Sequence, residues 1–317
     1  MLPGRARMTP AARKWLGLVV RVLGTAAAFA WIATRVDGAA LRAAIVRIPP
    51  AAIALATALV AANVVAGAVR WRVLQRAYGA TRIARLAVLV RLYFVAFFYN
   101  TYLPGAVAGD VGRGVVSRDA FAGEGATGAL AVVLVERALG LLGLFALLAA
   151  GLVATRGAID PGALWVWTAV GGAGSIALVA AIPLARRLAP HLPGPLARVA
   201  AKLPGLHDRR AFGAAIALSI ATQALVAAAG WVVLDALAPI GLAGSLLVVP
   251  LAAATTFLPI TVGGAGAREA VYVTLCGTLF GMPEADALAA SLGLWLAHLI
   301  VGAAGAVAQL ARRLHEP

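Results

Sequence analysis

Two arginines, Arg113 and Arg268, close two similar stretches of the chain, each with glycines and a carboxylate a few residues away. The first stretch, 100–114, reads N-T-Y-L-P-G-A-V-A-G-D-V-G-R-G, and the second, 255–269, reads T-T-F-L-P-I-T-V-G-G-A-G-A-R-E. Offset by 155 residues, they agree at 6 of 13 positions between 101–113 and 256–268, including Leu-Pro, a valine, a glycine and the arginine. A guanidinium fork matches phosphate oxygens bidentately, and neighbouring glycines let backbone N–H groups approach the same oxygens. The expected anion ligands are therefore Arg113, Arg268, Arg137, Asn100, Gly109, Gly263 and Gly264, with Asp110, Glu136 and Glu269 balancing the charge. A plainer reading stays open beside this one: Asp110 and Arg113 form a local i,i+3 pair that closes a turn.

Glu136 and Arg137 lie about ten residues into an apolar run, a depth of about 15 Å by helical rise. Neighbouring residues on a helix point about 100° apart and do not face each other, so each needs a partner from another segment. Arg113 or Arg268 suits Glu136; Asp110 or a bound phosphate suits Arg137. Structural ion pairs between helices would satisfy the same residues. Asn63, Gln223 and His298 also lie within apolar runs, where interhelical hydrogen bonding competes with ligand contact as their role. The four histidines and single Cys276 have no metal-ligand spacing. No nucleophile–base set or phosphate loop is present. We expect no enzyme chemistry, no cofactor and no metal.

The segments that must position these residues are apolar. The chain has 317 residues, 62% hydrophobic and 12% charged, against about 25% charged for soluble domains, and so reads as an integral membrane protein. Runs suited to crossing a hydrocarbon core of about 30 Å cover 15–34, 51–69, 126–154, 163–184, 211–237 and 285–310. Two further runs, 86–103 and 244–258, end at the Leu-Pro motifs, where Pro104, Gly105 and Pro259 are expected to break the helices. Segment 266–281 is short for a crossing. The seven tryptophans read as interfacial anchors.

The net charge of +15 does not point to nucleic acid, because the basic residues gather between apolar runs as they do in cytoplasmic loops. Arg5, Arg7, Arg13 and Lys14 precede the first run; Arg70, Arg72, Arg76, Arg82 and Arg85 follow the second. If 86–103 crossed fully, the basic loop holding Arg186, Arg187, Arg198, Lys202, Arg209 and Arg210 would lie outside. If 86–125 enters and returns, that loop lies inside, as does the C-terminus once the second motif is treated likewise. The expected fold is an all-α polytopic membrane protein: six full spans plus two re-entrant broken hairpins, forming a 3+3 inverted repeat. It is read as one integral membrane domain over 1–317, with repeat 1 about 11–155, repeat 2 about 162–311 and no soluble catalytic domain. Two interrupted hydrophobic segments at corresponding places in two halves point to a transporter-like binding site.

These motifs, together with V-L-V-E-R-A-L-G at 133–140, resemble the flippase-like membrane family that includes the transmembrane region of lysylphosphatidylglycerol synthases. The resemblance covers nearly the whole chain. It implies a multi-pass protein of the bacterial plasma membrane, with both termini cytoplasmic, that moves a lipid or lipid-linked group between leaflets. The implied partners are membrane lipids, either an anionic phospholipid or a polyprenyl-phosphate-linked lipid, and a glycosyltransferase or lipid synthase that supplies them. The sequence ends at Pro317, soon after its last apolar run, so lipid aminoacylation is not expected of it. A small-solute secondary transporter and a non-transporting scaffold for a lipid- or glycan-synthesising enzyme are the alternatives.

Overall fold

The computed structural model describes residues 10–103, 107–121, 123–156, 162–257 and 261–313. Pro104, Gly105 and Pro259, the expected helix breakers, lie outside the described residues. Among those described the fold is all-helical. The first half contains α1 (Pro10–Ala33), α2 (Gly38–Arg47), α3 (Pro50–Ala77), α4 (Leu86–Tyr102), α5 (Ala108–Val116) and α6 (Gly125–Ala154). The second contains α7 (Leu164–Leu188), α8 (Gly194–Ala201), α9 (Arg209–Asp235), α10 (Gly241–Ala254), α11 (Ala267–Phe280) and α12 (Glu284–Arg313).

Among the described residues, five helices are long and apolar enough to cross a bilayer: α3, α6, α9, α12 and α7 with its continuation to His191. The last fifteen residues of α1, Val19–Ala33, add a sixth crossing when joined to α2, which turns away from them by 90°. The six long runs of the sequence thus become α1, α3, α6, α7, α9 and α12, while α4 and α10 are the shorter apolar pieces that lead into the motifs. Helices α2 and α8 were not anticipated. Asp37 caps α2, its carboxylate accepting from the Ala39 N–H at 3.1 Å. The basic residues after the second run do not all lie in a loop: α3 continues to Ala77 and carries Arg70, Arg72 and Arg76 on its last turns.

The centre is built by α3 and α9, where Ala56, Val60 and Val64 pack with Ala229 and Val233 in one buried cluster. Small residues there let the backbones approach closely. Around this pair the packing exchanges under the 155-residue offset. Helix α4 lies on α12 and α10 on α6; α3 touches α12 and α9 touches α6; α4 pairs with α5 and α10 with α11.

In each short pair of helices the start of the first lies beside the end of the second. At the first end the Thr81 N–H, before α4, donates to the Ala120 carbonyl, after α5, at 2.9 Å. The His207 N–H donates to the Ala77 carbonyl beside them, at 2.8 Å. At the opposite end Gly244, near the start of α10, lies against the Phe280 ring at the end of α11. That end is tied further by Arg35 to Glu284 at 3.1 Å and by Arg47 to Asp286 at 3.0 Å. Within the first pair, a Cβ at Gly109 would sit 2.0 Å from the Ala96 carbonyl oxygen. Only glycine lets α5 come so close to α4.

Candidate functional site

Five charged side chains from three helices meet where α5 reaches α6. Arg113, on α5, donates from Nε to Asp110 Oδ1 at 2.9 Å, within the same helix. Its Nη1 lies 2.6 Å from Glu136 Oε2 on α6, a charge-to-charge approach outside hydrogen-bond geometry. Glu136 Oε1 accepts from Arg70 Nη2 of α3 at 3.0 Å and from the Tyr93 hydroxyl of α4 at 2.7 Å. Arg70 extends the network to α9, donating to Thr222 Oγ1 at 3.2 Å. Arg137 reaches Asp110 from the neighbouring face of α6, Nε to Oδ2 at 2.7 Å. Both anticipated sets of partners are thus present, Arg113 with Glu136 and Asp110 with Arg137, together with the local i,i+3 pair.

Ions in a membrane interior are costly unless they face partners or water. Glu136 and Arg113 meet that requirement with almost no exposure, their side chains being 1% and 3% accessible. Arg113 also lies against two rings, its guanidinium carbon 4.8 Å from the Trp71 centroid and 4.6 Å from that of Tyr93. Cation–π attraction is strongest in such a desolvated setting. Trp71 is 1% exposed; it belongs to the interior and is not one of the expected interfacial anchors.

The second motif is organised by its backbone. Gly263, Gly264 and Gly266 have φ of 61°, 83° and 83°, left-handed values that side-chain-bearing residues avoid. The Gly266 N–H, at the start of α11, donates to Glu269 Oε2 at 2.7 Å. Glu269 Oε1 accepts from Arg268 Nε at 2.9 Å, pairs with Arg268 Nη2, and takes the Ser291 hydroxyl at 3.4 Å. Arg268 lies 5.9 Å from the Trp295 ring. Helix α1 supports this elbow: Thr25 Oγ1 accepts the Val262 N–H at 2.9 Å.

A cavity of about 550 Å³ lies between the two motifs. Of the sequence-predicted residues, Asn100, Asp110, Arg113, Glu136, Arg137, Gly263 and Arg268 line it. Three do not. The Gly109 N–H donates to Asn100 Oδ1 at 2.9 Å, Gly264 packs on Thr256, and Glu269 is buried behind Arg268. The motifs meet through Arg137, whose guanidinium lies 5.9 Å from the Phe257 ring. His298 lines the cavity and stacks on Phe97 at 5.9 Å. Sequence reasoning missed Arg70, which looked like one of a loop's basic residues, and Tyr93, which carried no motif. Helical register could have found Arg70, since continuing α3 past its apolar stretch keeps that residue on the buried face of Val60, Val64 and Gly67. Among the described residues no group of acidic, histidine or cysteine side chains could hold a metal ion.

The sequence profile of the lysylphosphatidylglycerol synthase TM region matches residues 15–305. The chain belongs to this family. It is a multi-pass membrane protein, as the family and the apolar helices together require. Comparison with curated proteins gives no match. For this member of the family, the matched span takes in both motifs and every charged residue of the network.

Proposed function

We propose that this protein moves an anionic lipid, or a lipid-linked glycan carrier, between the leaflets of the bacterial plasma membrane. The observation that carries this reading is the contrast between the wall and the rim of the cavity. Its wall presents guanidinium groups, whereas Tyr102, Leu103, Phe257 and Trp295, which also line it, are 40–45% exposed. A polar chamber with apolar side chains open to the bilayer suits a molecule with a charged headgroup and hydrocarbon tails. It suits a small solute less well, since a solute carrier gains by shutting lipid out. The volume also lies within the range of about 300–1,000 Å³ usual for ligand sites.

In this reading Arg137 and Arg268 contact the headgroup, with side chains 26% and 18% accessible. Arg113 and Arg70 brace the site, because burial and multiple partners leave them little to offer a ligand. Asn100 and Gly109 lock α4 to α5, and Gly263 with Gly264 shapes the second elbow. Irregular backbone at membrane depth is tolerated only where protein or a water-filled cavity surrounds it. The closeness of the two ends of each short helix pair supports the re-entrant reading. The exchange of packing partners between the halves supports the inverted repeat, and the basic segments near Ala77 and His207 favour a cytoplasmic location for the first end.

Reconstitution tests the proposal. Purified protein in vesicles containing fluorescent phosphatidylglycerol should accelerate leaflet exchange, followed by chemical quenching of the outer leaflet. Exchange no faster than in protein-free vesicles, across phosphatidylglycerol and a polyprenyl phosphate probe, would overturn it.

A further inference from the structure

Each half of the chain has a short helix after its first long one, and the two short helices sit in different surroundings. Helix α2 packs on α12, and the arginines beside it find carboxylates there, Arg35 on Glu284 and Arg47 on Asp286. Helix α8 packs on the end of α7 and on the single turn Ala189–His191 that follows it. Arg186 Nη1 donates to the Leu203 carbonyl at 2.9 Å, and the His207 N–H donates to the Ala77 carbonyl at 2.8 Å. The segment around α8 is thereby fixed to the end of the bundle.

Between Leu184 and Arg210 the chain has six basic side chains, Arg186, Arg187, Arg198, Lys202, Arg209 and Arg210, and one carboxylate, Asp208. That carboxylate caps α9, accepting from the Arg210 and Ala211 backbone N–H groups at 2.9 and 3.0 Å. Among the described residues none of the six cations pairs with a carboxylate. Beside them stand apolar side chains that the protein leaves uncovered. Leu184 and Leu188 lie one turn apart at the end of α7, Leu196 and Val199 one turn apart on α8, and all four are 45–58% exposed.

Neither water nor hydrocarbon alone suits such a surface. Exposed apolar groups gain by leaving water, whereas a cation deep in a bilayer is costly. The boundary between the two accommodates both, because long basic side chains extend from the apolar region to the headgroups. Helix α7 is among those long and apolar enough to cross the bilayer, and its exposed Val170 and Ile176 precede the patch, which therefore adjoins lipid. We infer that the segment from Leu184 to Arg210 is a docking surface for anionic phospholipid, with its leucines and Val199 among the acyl chains and its cations on the phosphates. Anionic leaflets attract clustered basic residues in this way. The inference holds whether or not the protein moves lipid.

A label on α8 tests it. Ala197→Cys, exposed between Leu196 and Arg198, gives a Cys276→Ser background one site for an environment-sensitive fluorophore. The labelled protein is placed in vesicles of phosphatidylcholine and phosphatidylglycerol in fixed proportion, with bromine on the acyl chains of one lipid or the other. Bromine on phosphatidylglycerol should quench the label at least about twofold more, per mole of brominated lipid, than bromine on phosphatidylcholine. Arg187→Gln/Arg198→Gln/Lys202→Gln should abolish that difference without lowering the unfolding temperature, since none of the three side chains has a described carboxylate partner. Equal quenching by the two lipids in the parent would put α8 in the interface without preference for anions and overturn the proposal. Quenching by aqueous iodide and by neither lipid would overturn it as well, turning the surface toward water or a soluble acidic partner. A difference that survives in the triple variant would take the selection away from these cations.

Discussion

Glu136 and Arg113, on α6 and α5, approach to 2.6 Å with side chains almost wholly removed from the surface. Arg70 and Tyr93 share the same carboxylate, so Glu136 joins α3, α4, α5 and α6 at one point. Replacing buried ions by apolar residues is often tolerated, whereas removing one partner leaves an uncompensated charge.

Glu136→Ala should therefore destabilise the protein strongly, by about 3–5 kcal/mol, read as a lowered unfolding temperature in detergent. The double variant Arg113→Met/Glu136→Leu should recover part of the loss, because Arg70 keeps Tyr93 and Thr222. A double variant no more stable than Glu136→Ala would show that the two residues are not energetically coupled.

Gly109 and Gly112 lie one turn apart on α5 and should respond differently to alanine. At Gly109 the new methyl would be 2.0 Å from a backbone oxygen of α4, whereas nothing lies within 4 Å at Gly112. Gly109→Ala should cost about 1–3 kcal/mol or more. Gly112→Ala should stay within about 1 kcal/mol of the parent, on the favourable side through helix propensity. Thermal unfolding of the two variants side by side checks this, and equal losses would contradict the close approach.

Arg268→Ala should slow exchange of an anionic lipid by about tenfold or more, as expected from losing a charge-assisted hydrogen bond worth about 1.5–3 kcal/mol. Arg268→Lys keeps the charge but not the fork and should fall between the two. Arg42, exposed on α2, provides a control: Arg42→Ala should leave exchange unchanged. Full activity in Arg268→Ala would remove this residue from the headgroup contact.

The ends of the bundle can be tested by labelling. Cys276 is the sole cysteine and is buried, so a Cys276→Ser background has no competing thiol. Single cysteines replacing Arg82, Asp119 or Lys202 should react with a membrane-impermeant maleimide from one side of the membrane. Those replacing Arg42 or Asp235 should react from the other. Labelling of positions 82 and 119 from opposite sides would show that α4 and α5 together cross the bilayer.

The apolar runs and the motif positions were legible because hydrophobic length and helix-breaking chemistry are local properties. One partner of Glu136, Arg113, was also legible, since an ion at that depth demands an opposite charge and few segments can supply one. The division of labour among the arginines was not. Arg113 and Arg268 occupy the same place in the two motifs, yet two rings and two carboxylates surround the first, while the second has one carboxylate beside it. That difference depends on Trp71, Tyr93 and Glu136, which lie far apart in the chain. Arg70 was obscured for a related reason: composition marks where apolar residues stop, not where a helix does, and α3 continues beyond that point.

Glu269 secures two things with one side chain, the first turn of α11 through the Gly266 N–H and the guanidinium of Arg268. An anion that draws Arg268 toward itself loosens one of these attachments and throws more weight on the other. Under the proposed transport reading, occupancy would reach the main chain at the glycine elbow, where Glu269 holds the Gly266 N–H. On that reading the carboxylate would act as a linkage, turning the arrival of cargo into a tug on the helix behind it.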